Sequence, residues 1–251
     1  MKEEVILITG ACGLIGESIV FGLKNENYKL VCIDNNKKNM EKLKLKYNDK
    51  NSLFLTSNIL IKESLDLCIE KAHNKFGRID CAIHAAYPKS IGWGSKFEDL
   101  KENFLMEDLQ NQLGLAIIFS QKIIKYFLHQ GYGNLIHFSS IQGIAAPKFD
   151  HYEKTSMNSP IEYSAIKAGI ISVTKYLSKY YKNKNLRINC ISPGGIYNNQ
   201  PKSFLNNYKK SCNSKGMLNS EDILGTILFL ISRNSLYING QNIIVDDGWS
   251  L

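Results

Sequence analysis

The sequence Val5-Ile6-Leu7-Ile8-Thr9-Gly10-Ala11-Cys12-Gly13-Leu14-Ile15-Gly16 joins a short apolar run to three glycines in the spacing G-x-x-G-x-x-G. An apolar pattern of helical period follows it, so the segment predicts a strand, a tight turn and a helix. Glycines let the backbone approach a ligand closely, and the helix N-terminus offers N–H donors to a pyrophosphate. The turn therefore predicts dinucleotide binding, although a turn of this kind can also form without a ligand. The predicted contacts in it are Gly10, Cys12, Gly13, Leu14 and Ile15.

The next apolar run, Tyr28–Ile33, predicts a second strand that ends at Asp34. A carboxylate about twenty residues beyond such glycines is where a dinucleotide fold binds the adenosine ribose hydroxyls. Asp34 would repel a 2′-phosphate, which favours NAD over NADP. Lys37 and Lys38 weaken this preference, because they could attract that phosphate.

Apolar runs and helical patterns then alternate along the rest of the chain, which predicts a mostly parallel sheet with helices on both faces. We interpret residues 1–251 as one α/β domain with a doubly wound, Rossmann-like sheet of about seven strands. The remaining strands are predicted at 52–59, 79–85, 134–138, 186–191 and 242–245, and the helices at 61–76, 97–129, 161–181 and 221–231.

Composition excludes several classes of protein. The 251 residues carry a formal charge of +8, but lysines are spread along the chain, so we expect neither a nucleic-acid nor a membrane partner. The six cysteines form no C-x-x-C pair, which indicates small buried hydrophobes in a reducing compartment and no metal site. No signal peptide or apolar run near the length of a membrane span is present, so we expect a cytoplasmic protein.

The segment Tyr163-Ser164-Ala165-Ile166-Lys167 lies in the predicted helix 161–181 and places a phenol and an ammonium four residues apart, on one helix face. A nearby positive charge favours the phenolate and lowers its pKa, which suits acid–base chemistry near neutral pH. Many helices carry such a pair on their surface by chance. Here, however, Ser139-Ser140 follows the fifth strand, so a hydroxyl lies at the same edge of the sheet.

Together these features resemble the single-domain short-chain dehydrogenase/reductase family, over nearly the whole chain. The matching pieces are Thr9-Gly10 to Gly16, Asp34, Ser140, Tyr163-x-x-x-Lys167, Arg187-x-Asn189, Pro193-Gly194 and Val245-Asp246-Asp247-Gly248. The resemblance implies that Tyr163 exchanges a proton, that Lys167 lowers its pKa and holds the nicotinamide ribose, and that Ser140 hydrogen-bonds the substrate oxygen. It also implies cofactor contacts at Asn58, Ile59, Ala85, Ala86, Tyr163, Lys167, Pro193, Gly194 and Ile196.

Four features depart from the family pattern. His84-Ala85-Ala86-Tyr87 stands where the family has Asn-Asn-Ala-Gly, and Asn58 replaces an aspartate. The asparagine of the proton relay falls at Asn111 or is lost to Gln112, and we place it at Asn111. The glycine spacing is better known from the larger sugar-nucleotide epimerases and dehydratases.

More narrowly, the chain resembles the oxidoreductases of bacterial flagellin modification through Ala86-Tyr87-Pro88, the segment 146–157 and the ending 237–248. This implies a polar sugar or amino-sugar substrate for flagellin glycosylation. The broader family resemblance implies a homotetramer or homodimer through the helices at 97–129 and 161–181. The polar residues Lys148, Asp150, His151, Tyr152, Glu153 and Lys154 either line the substrate pocket or form a solvated loop. The basic segment 198–217, with Lys202, Lys209, Lys210 and Lys215, is consistent with a phosphorylated or nucleotide-linked sugar.

The alternatives to a dehydrogenase or reductase are a non-catalytic NAD-binding sensor and an NAD-retaining epimerase or dehydratase.

Overall fold

Seven parallel strands form one sheet in the computed structural model, which describes residues 4–251. The strand order is β3-β2-β1-β4-β5-β6-β7, so the chain winds outward from β1 in both directions. The strands are β1 (Val5–Thr9), β2 (Lys29–Asp34), β3 (Ser52–Thr56), β4 (Cys81–His84), β5 (Gly133–Phe138), β6 (Leu186–Pro193) and β7 (Asn242–Val245). The helices are α1 (Leu14–Asn25), α2 (Lys37–Tyr47), α3 (Ser64–Phe76), α4 (Glu102–Asp108), α5 (Leu115–Gln130), α6 (Ile161–Tyr180), α7 (Lys202–Lys210) and α8 (Leu224–Ile231). The predicted Rossmann-like fold is confirmed.

Each face of the sheet carries its own hydrophobic core. Side chains alternate along a strand, so Ile6 and Ile8 of β1 enter one core while Val5 and Leu7 enter the other. Helices α1, α2 and α8 cover the first face, and α3, α5 and α6 cover the second. Because β1 is buried on both sides, its run of apolar residues is continuous, as expected for the centre of a parallel sheet.

Glycines end two of the predicted helices where the sequence indicated. Gly77 follows α3 with φ +75° and Gly131 follows α5 with φ +91°, a left-handed backbone that glycine adopts without strain. The predicted helical segment 97–129 is two helices, α4 and α5, joined by a π-helical turn at Leu109–Gly114. That turn changes which side chains point toward the sheet, and it sets the orientation of Asn111.

Some boundaries differ from the predicted ones, and two helices were not predicted. Strand β3 ends at Thr56 rather than at 59, and β6 extends to Pro193. Helix α2 buries only Met40 and Leu43, so it lacks the apolar stripe that identifies a helix in sequence. Helix α7 lies in the basic segment 198–217 and likewise buries two residues, Phe204 and Tyr208.

The described part of the chain contains no helix that is long and apolar enough to cross a membrane. All six cysteines are free thiols, and four of them, Cys32, Cys68, Cys81 and Cys190, are buried. They pack as small apolar side chains, in agreement with the interpretation of the sequence.

Candidate active site

A cavity of about 780 Å³ opens at the carboxyl ends of the central strands, where parallel sheets bind ligands. It is lined by nearly all of the predicted site residues, which are Gly10, Cys12, Gly13, Leu14, Ile15, Asp34, Asn58, Ile59, Ala85, Ala86, Ser140, Tyr163, Lys167, Pro193, Gly194 and Ile196. The exception is Asn111. The fold therefore brings together residues that are more than 180 positions apart in the chain, such as Gly10 and Ile196.

The glycine turn is closely packed against the loop that follows β4. Gly10 has φ +70°, and a Cβ there would lie 2.7 Å from the carbonyl oxygen of Ala85 and from the backbone of Ala86. A Cβ on Gly16 would lie 2.0 Å from the carbonyl oxygen of Gly10. Only glycine fits both positions, so the turn leaves its backbone accessible at the start of α1. This arrangement fits a dinucleotide whose pyrophosphate approaches that helix end.

Asp34 is fixed at the cavity wall by two backbone donors. Its Oδ2 accepts from the N–H of Cys12 at 2.9 Å, and its Oδ1 accepts from the N–H of Asn36 at 2.9 Å. An ionised carboxylate has further acceptor capacity on both oxygens, which suits the two hydroxyls of a ribose. Burial and the charge of Asp34 raise the pKa of the Cys12 thiol to about 12, so this cysteine stays neutral and unreactive.

Ser140, Tyr163 and Lys167 meet beneath the end of β5. The Ser140 hydroxyl accepts from the N–H of Gln142 at 3.2 Å, and its interaction with the Tyr163 phenol favours a lower pKa of that phenol. The Lys167 ammonium is 5.5 Å from the centre of the Tyr163 ring and donates to the carbonyl of Phe138 at 3.0 Å. This arrangement can hold a substrate oxygen and exchange a proton with it.

The charge state of this group differs from the simple expectation. We expected the ammonium to lower the pKa of Tyr163, but burial raises that pKa and the hydrogen bond with Ser140 only opposes the increase. Burial also lowers the pKa of Lys167 to about 8. Both groups are enclosed, so desolvation is the largest influence on each pKa, and the pKa of Tyr163 lies above its usual value rather than below it.

Asn111 does not face this cavity. It lines a separate, smaller pocket between Ile59 and Lys122, whereas its neighbour Gln112 lines the main cavity and is buried. The π-helical turn sets this orientation, and sequence spacing could not separate two adjacent positions. The structure therefore does not bring Asn111 to the catalytic cavity, and Gln112 lies there instead. Both side-chain amide atoms of Gln112 are buried without a partner among residues 4–251.

Two aromatic residues beside Tyr163 were not predicted as site residues. The centre of the Tyr87 ring lies 5.8 Å from that of Tyr163, and the Trp93 ring lies 5.9 Å from it, both edge to face. Asp108 fixes their loop, because its carboxylate accepts from the N–H and the hydroxyl of Ser90, each at 2.7 Å. Tyr87 stands where the family has glycine, and this departure is the feature of the sequence that could have indicated its place in the site.

His84, another departure from the family pattern, is a buried structural residue that also lines the cavity. Its Nδ1 is 2.8 Å from the hydroxyl of Thr9, and its ring stacks on Phe119 with centres 4.6 Å apart. Burial and the nearby His137 and Lys167 lower the pKa of His84 well below its usual value, so its imidazole is neutral.

The far end of the cavity is polar but carries few charges. Gln142 donates to the hydroxyl of Tyr152 at 3.3 Å and accepts from the hydroxyl of Ser159 at 2.6 Å. Of the polar loop residues predicted from sequence, only His151 and Tyr152 line the cavity. The lysines of the basic segment 198–217 do not line the cavity, which removes their support for a phosphorylated substrate. They are Lys202, Lys209, Lys210 and Lys215.

The fold and this site define a nicotinamide-dependent oxidoreductase. A family model described as enoyl-(acyl carrier protein) reductase matches residues 10–250. The chain belongs to the short-chain dehydrogenase/reductase family, as the resemblance in sequence indicated.

The comparisons also relate it to particular proteins. It is 40% identical to the post-translational flagellin modification protein A of Campylobacter coli over 100% of both chains. It is 27% identical to the 7alpha-hydroxysteroid dehydrogenase of Bacteroides fragilis, covering 100% of this chain and 95% of that one. Among solved structures, a short-chain dehydrogenase from Leptospira borgpetersenii with bound NAD+ superposes with a TM-score of 0.90 and 28% identity, covering 100% of this chain and 94% of that chain.

Proposed function

We propose that the protein is an NAD-dependent dehydrogenase or reductase that acts on an alcohol or carbonyl group of a sugar or amino-sugar precursor for flagellin glycosylation. The observation that carries the proposal is the meeting of Ser140, Tyr163 and Lys167 in the cavity that also contains the glycine turn and Asp34. The full-length similarity to a flagellin modification protein supports the biological role.

Each catalytic side chain has a role that its contacts support. When bound, NAD supplies or accepts the hydride, and Tyr163 gives or takes the proton of the reacting oxygen. Ser140 holds that oxygen, because its hydroxyl lies at the same cavity as the phenol and influences its pKa. Lys167 provides positive charge next to the phenol and is kept in place by the carbonyl of Phe138.

Gln112 is the proposed positioning residue at the cavity that contains Lys167, in place of Asn111. It lies in the π-helical turn that packs against α6, where Leu113 contacts Gly169. Its buried amide has both a donor and an acceptor without a partner among the described residues, and the residue lines the catalytic cavity.

The preference for NAD over NADP rests on Asp34. Its carboxylate is held at the wall by Cys12 and Asn36, so it cannot swing away from a ribose phosphate. An uncompensated phosphate next to this carboxylate would be repelled. Lys37 and Lys38 begin helix α2 and are exposed, so solvent screens their attraction for the phosphate.

Polar, mostly uncharged groups at the far end support a hydroxylated substrate. Besides the Gln142, Tyr152 and Ser159 network, the amides of Asn158, Asn198 and Gln200 line the cavity. Amide and hydroxyl groups match the donors and acceptors of a sugar ring, whereas a steroid-like alcohol would leave several of them unpaired.

We also propose a single-domain protein that acts in the cytoplasm as a homodimer or homotetramer through residues 97–129 and 161–181. Exposed apolar side chains on α5 and α6 support this interface, since unpartnered apolar surface favours association. They include Ile117, Ile118, Leu128, Tyr176 and Tyr180. Light scattering of the wild-type protein and of an Ile118→Glu variant tests it, and a monomeric wild type would contradict it.

The test of the function combines a substrate screen with one variant. Purified protein is assayed with NAD and NADP against amino sugars and other sugar derivatives, with steroid alcohols as the contrasting class. We expect NAD-linked turnover of a sugar derivative and, in Tyr163→Phe, a loss of about 10²- to 10⁴-fold with NAD still bound. The matched control Tyr176→Phe lies on the same helix outside the cavity and should retain activity. Turnover of steroid alcohols alone would contradict the proposal.

A further inference from the structure

A second lysine besides Lys167 lines the cavity near the catalytic side chains. Lys89 lies in the loop after β4 and is accessible to solvent, so a bound molecule can approach its ammonium. That ammonium lies 4.8 Å from the centre of the Tyr87 ring, which also lines the cavity and is 39% exposed. The roles of Ser140, Tyr163 and Lys167 leave this positive charge unexplained.

The Tyr87 ring connects Lys89 to the reacting centre. Its centre is 5.8 Å from that of the Tyr163 ring and 5.2 Å from the ammonium of Lys167. Because the family has glycine at this position, the ring that supports Lys89 is a feature of this chain. The face of an aromatic ring attracts a cation, so Tyr87 keeps the ammonium near the phenol of Tyr163 without neutralising it.

The loop that carries Lys89 is anchored at the next residue. Ser90 is buried, and its N–H and hydroxyl each donate to the carboxylate of Asp108 at 2.7 Å. The N–H of Trp93 donates to the carbonyl of Ser90 at 3.3 Å, and the Trp93 ring centre is 5.4 Å from that of Tyr87. These contacts fix the backbone from which Lys89 extends and leave its ammonium free to meet a ligand.

Within residues 4–251, no carboxylate neutralises Lys89, whose ammonium has neither an ion-pair nor a hydrogen-bond partner there. The carboxylates of Asp108 and Glu162 act on the phenol of Tyr87, but neither residue lines the cavity. Partial burial lowers the pKa of Lys89, and no acidic side chain offsets that effect. A partly desolvated ammonium without a counterion favours the entry of an anion.

The other charged groups of the cavity wall are already engaged. Among the described residues that line the cavity, the Asp, Glu, Lys and Arg side chains are Asp34, Lys89 and Lys167. Two backbone N–H groups hold Asp34 at the proposed cofactor ribose, and Lys167 donates to the carbonyl of Phe138. In this part of the chain, Lys89 is therefore the cation of the wall whose hydrogen bonds remain available.

We infer that Lys89 determines specificity by binding an anionic substituent of the substrate, a carboxylate or a phosphate ester, at the catalytic end of the cavity. An ammonium attracts either group and donates up to three hydrogen bonds to its oxygens. The hydroxyls of such a sugar match the uncharged polar network of Gln142, Tyr152 and Ser159. The inference rests on the proposed function and narrows its substrate to sugars that carry a negative charge.

Equilibrium binding to the NAD-loaded protein tests the inference without requiring turnover. Two pairs of probes isolate the charge, namely D-glucuronate with its neutral counterpart D-glucuronamide, and D-glucose 6-phosphate with D-glucose. We expect the charged member of at least one pair to bind about tenfold more tightly than its neutral partner at low ionic strength. The difference should shrink as salt screens the charges. The pair that shows the preference identifies the anion as a carboxylate or a phosphate.

Three variants assign the preference to Lys89. Lys89→Met should abolish it, whereas Lys89→Arg should keep most of it because the positive charge remains. The matched control is Lys101→Met, which removes the same unit of charge from the protein. The Lys101 ammonium also lies over an aromatic ring, 5.9 Å from the centre of Phe104, but Lys101 does not line the cavity. This control should keep the preference.

Equal affinity within both pairs, no measurable binding of the charged probes, or a preference that persists in Lys89→Met would each overturn the inference. An NAD titration of the same variants should give the wild-type affinity. A loss of NAD binding in Lys89→Met would assign the charge to the cofactor and would also overturn it. If a charged sugar binds as expected but no sugar is turned over with NAD, the proposed function fails and the anion site stands. Turnover of a neutral sugar that Lys89→Met leaves unchanged would support the proposed function and contradict the inference.

Discussion

The ammonium of Lys167 donates to the backbone carbonyl of Phe138 at 3.0 Å, which ties α6 to the end of β5. Ser139 makes a second tie, because its hydroxyl donates to the carbonyl of Lys167 at 2.8 Å. Ser140 follows directly, so these two bonds fix the distance between its hydroxyl and Tyr163. The catalytic geometry is thus built from backbone contacts between one helix and one strand, which position side chains precisely enough for proton exchange.

The buried ammonium predicts a pH-dependent cost to stability. The folded-state pKa of Lys167 is about 8, below the value of 10.5 for the unfolded chain. Between these values the unfolded chain binds more protons, so the free energy of unfolding rises with pH, and the full cost of about 3 kcal/mol applies below about pH 8. We expect Lys167→Met to lack this rise in chemical denaturation measured at about pH 7.5 and about pH 10.

The control for this measurement is Lys175→Met, an exposed lysine on the same helix. It should follow the wild-type dependence on pH. A parallel dependence in wild type and Lys167→Met would show that the ammonium is not desolvated in solution.

Much of this site could be predicted from sequence because its residues lie next to clear sequence patterns of strands and helices. Gly10 and Asp34 each follow a buried strand, and the carboxyl ends of parallel strands meet at one edge. Tyr163 and Lys167 share a helix face because their spacing is four residues. These relationships follow from the geometry of regular elements, so they required no knowledge of tertiary contacts.

The remaining site residues depend on irregular backbone and on packing between distant segments. The choice between Asn111 and Gln112 is set by the π-helical turn, which has no reliable signal in sequence. Trp93 reaches the site only because Asp108 fixes its loop through Ser90. Such contacts between loops depend on the tertiary structure, so spacing rules do not reveal them.

Asp34 should govern both the affinity for NAD and the discrimination against NADP. In Asp34→Asn the charge that repels a 2′-phosphate is lost, and the acceptor for the N–H of Cys12 is weakened. We expect the KM for NAD to rise about tenfold, because the ribose hydroxyls lose the attraction of the carboxylate. The preference for NAD over NADP should fall by a larger factor, about 10²-fold, because the repulsion of the 2′-phosphate is removed as well. Steady-state kinetics with both cofactors measures this.

Asp49→Asn is the matched control, since Asp49 also accepts a backbone N–H, from Asn51 at 2.9 Å, but does not line the cavity. It should leave the cofactor preference unchanged. An unaltered preference in Asp34→Asn would place the determinant elsewhere, with Lys37 and Lys38 the first candidates.

Gln112 should affect activity and stability in opposite directions. Gln112→Leu removes two buried polar atoms that have no partner in the described structure, so the free energy of unfolding should stay the same or rise by about 1 kcal/mol. Activity should fall about tenfold or more with a displaced pH profile, because a positioned proton donor contributes to the chemical step. Asn111→Leu, the adjacent control, should keep its activity. Equal activity in the two variants, or a loss of stability in Gln112→Leu, would assign Gln112 a structural role only.

Gly10 has both a backbone and a packing reason to be glycine, so its substitution should be severe. In Gly10→Ala the residue keeps φ +70° at a cost, and its Cβ meets the backbone of Ala85 and Ala86 at 2.7 Å. Neither neighbour can move as a flexible side chain could, because Ala85 continues directly from β4. We expect a loss of more than about 2 kcal/mol in the free energy of unfolding and a weakened affinity for NAD.

Gly225→Ala provides the contrast within the same fold. Gly225 lies in α8 with no atom within 4 Å of an added Cβ, so alanine should be neutral or stabilise the protein by about 0.5 kcal/mol. Denaturation and NAD titration of both variants separate a general effect of alanine from the specific contact at the turn. Normal stability and normal NAD affinity in Gly10→Ala would mean that the turn relaxes in solution, and the argument that its close packing shapes the dinucleotide site would be lost.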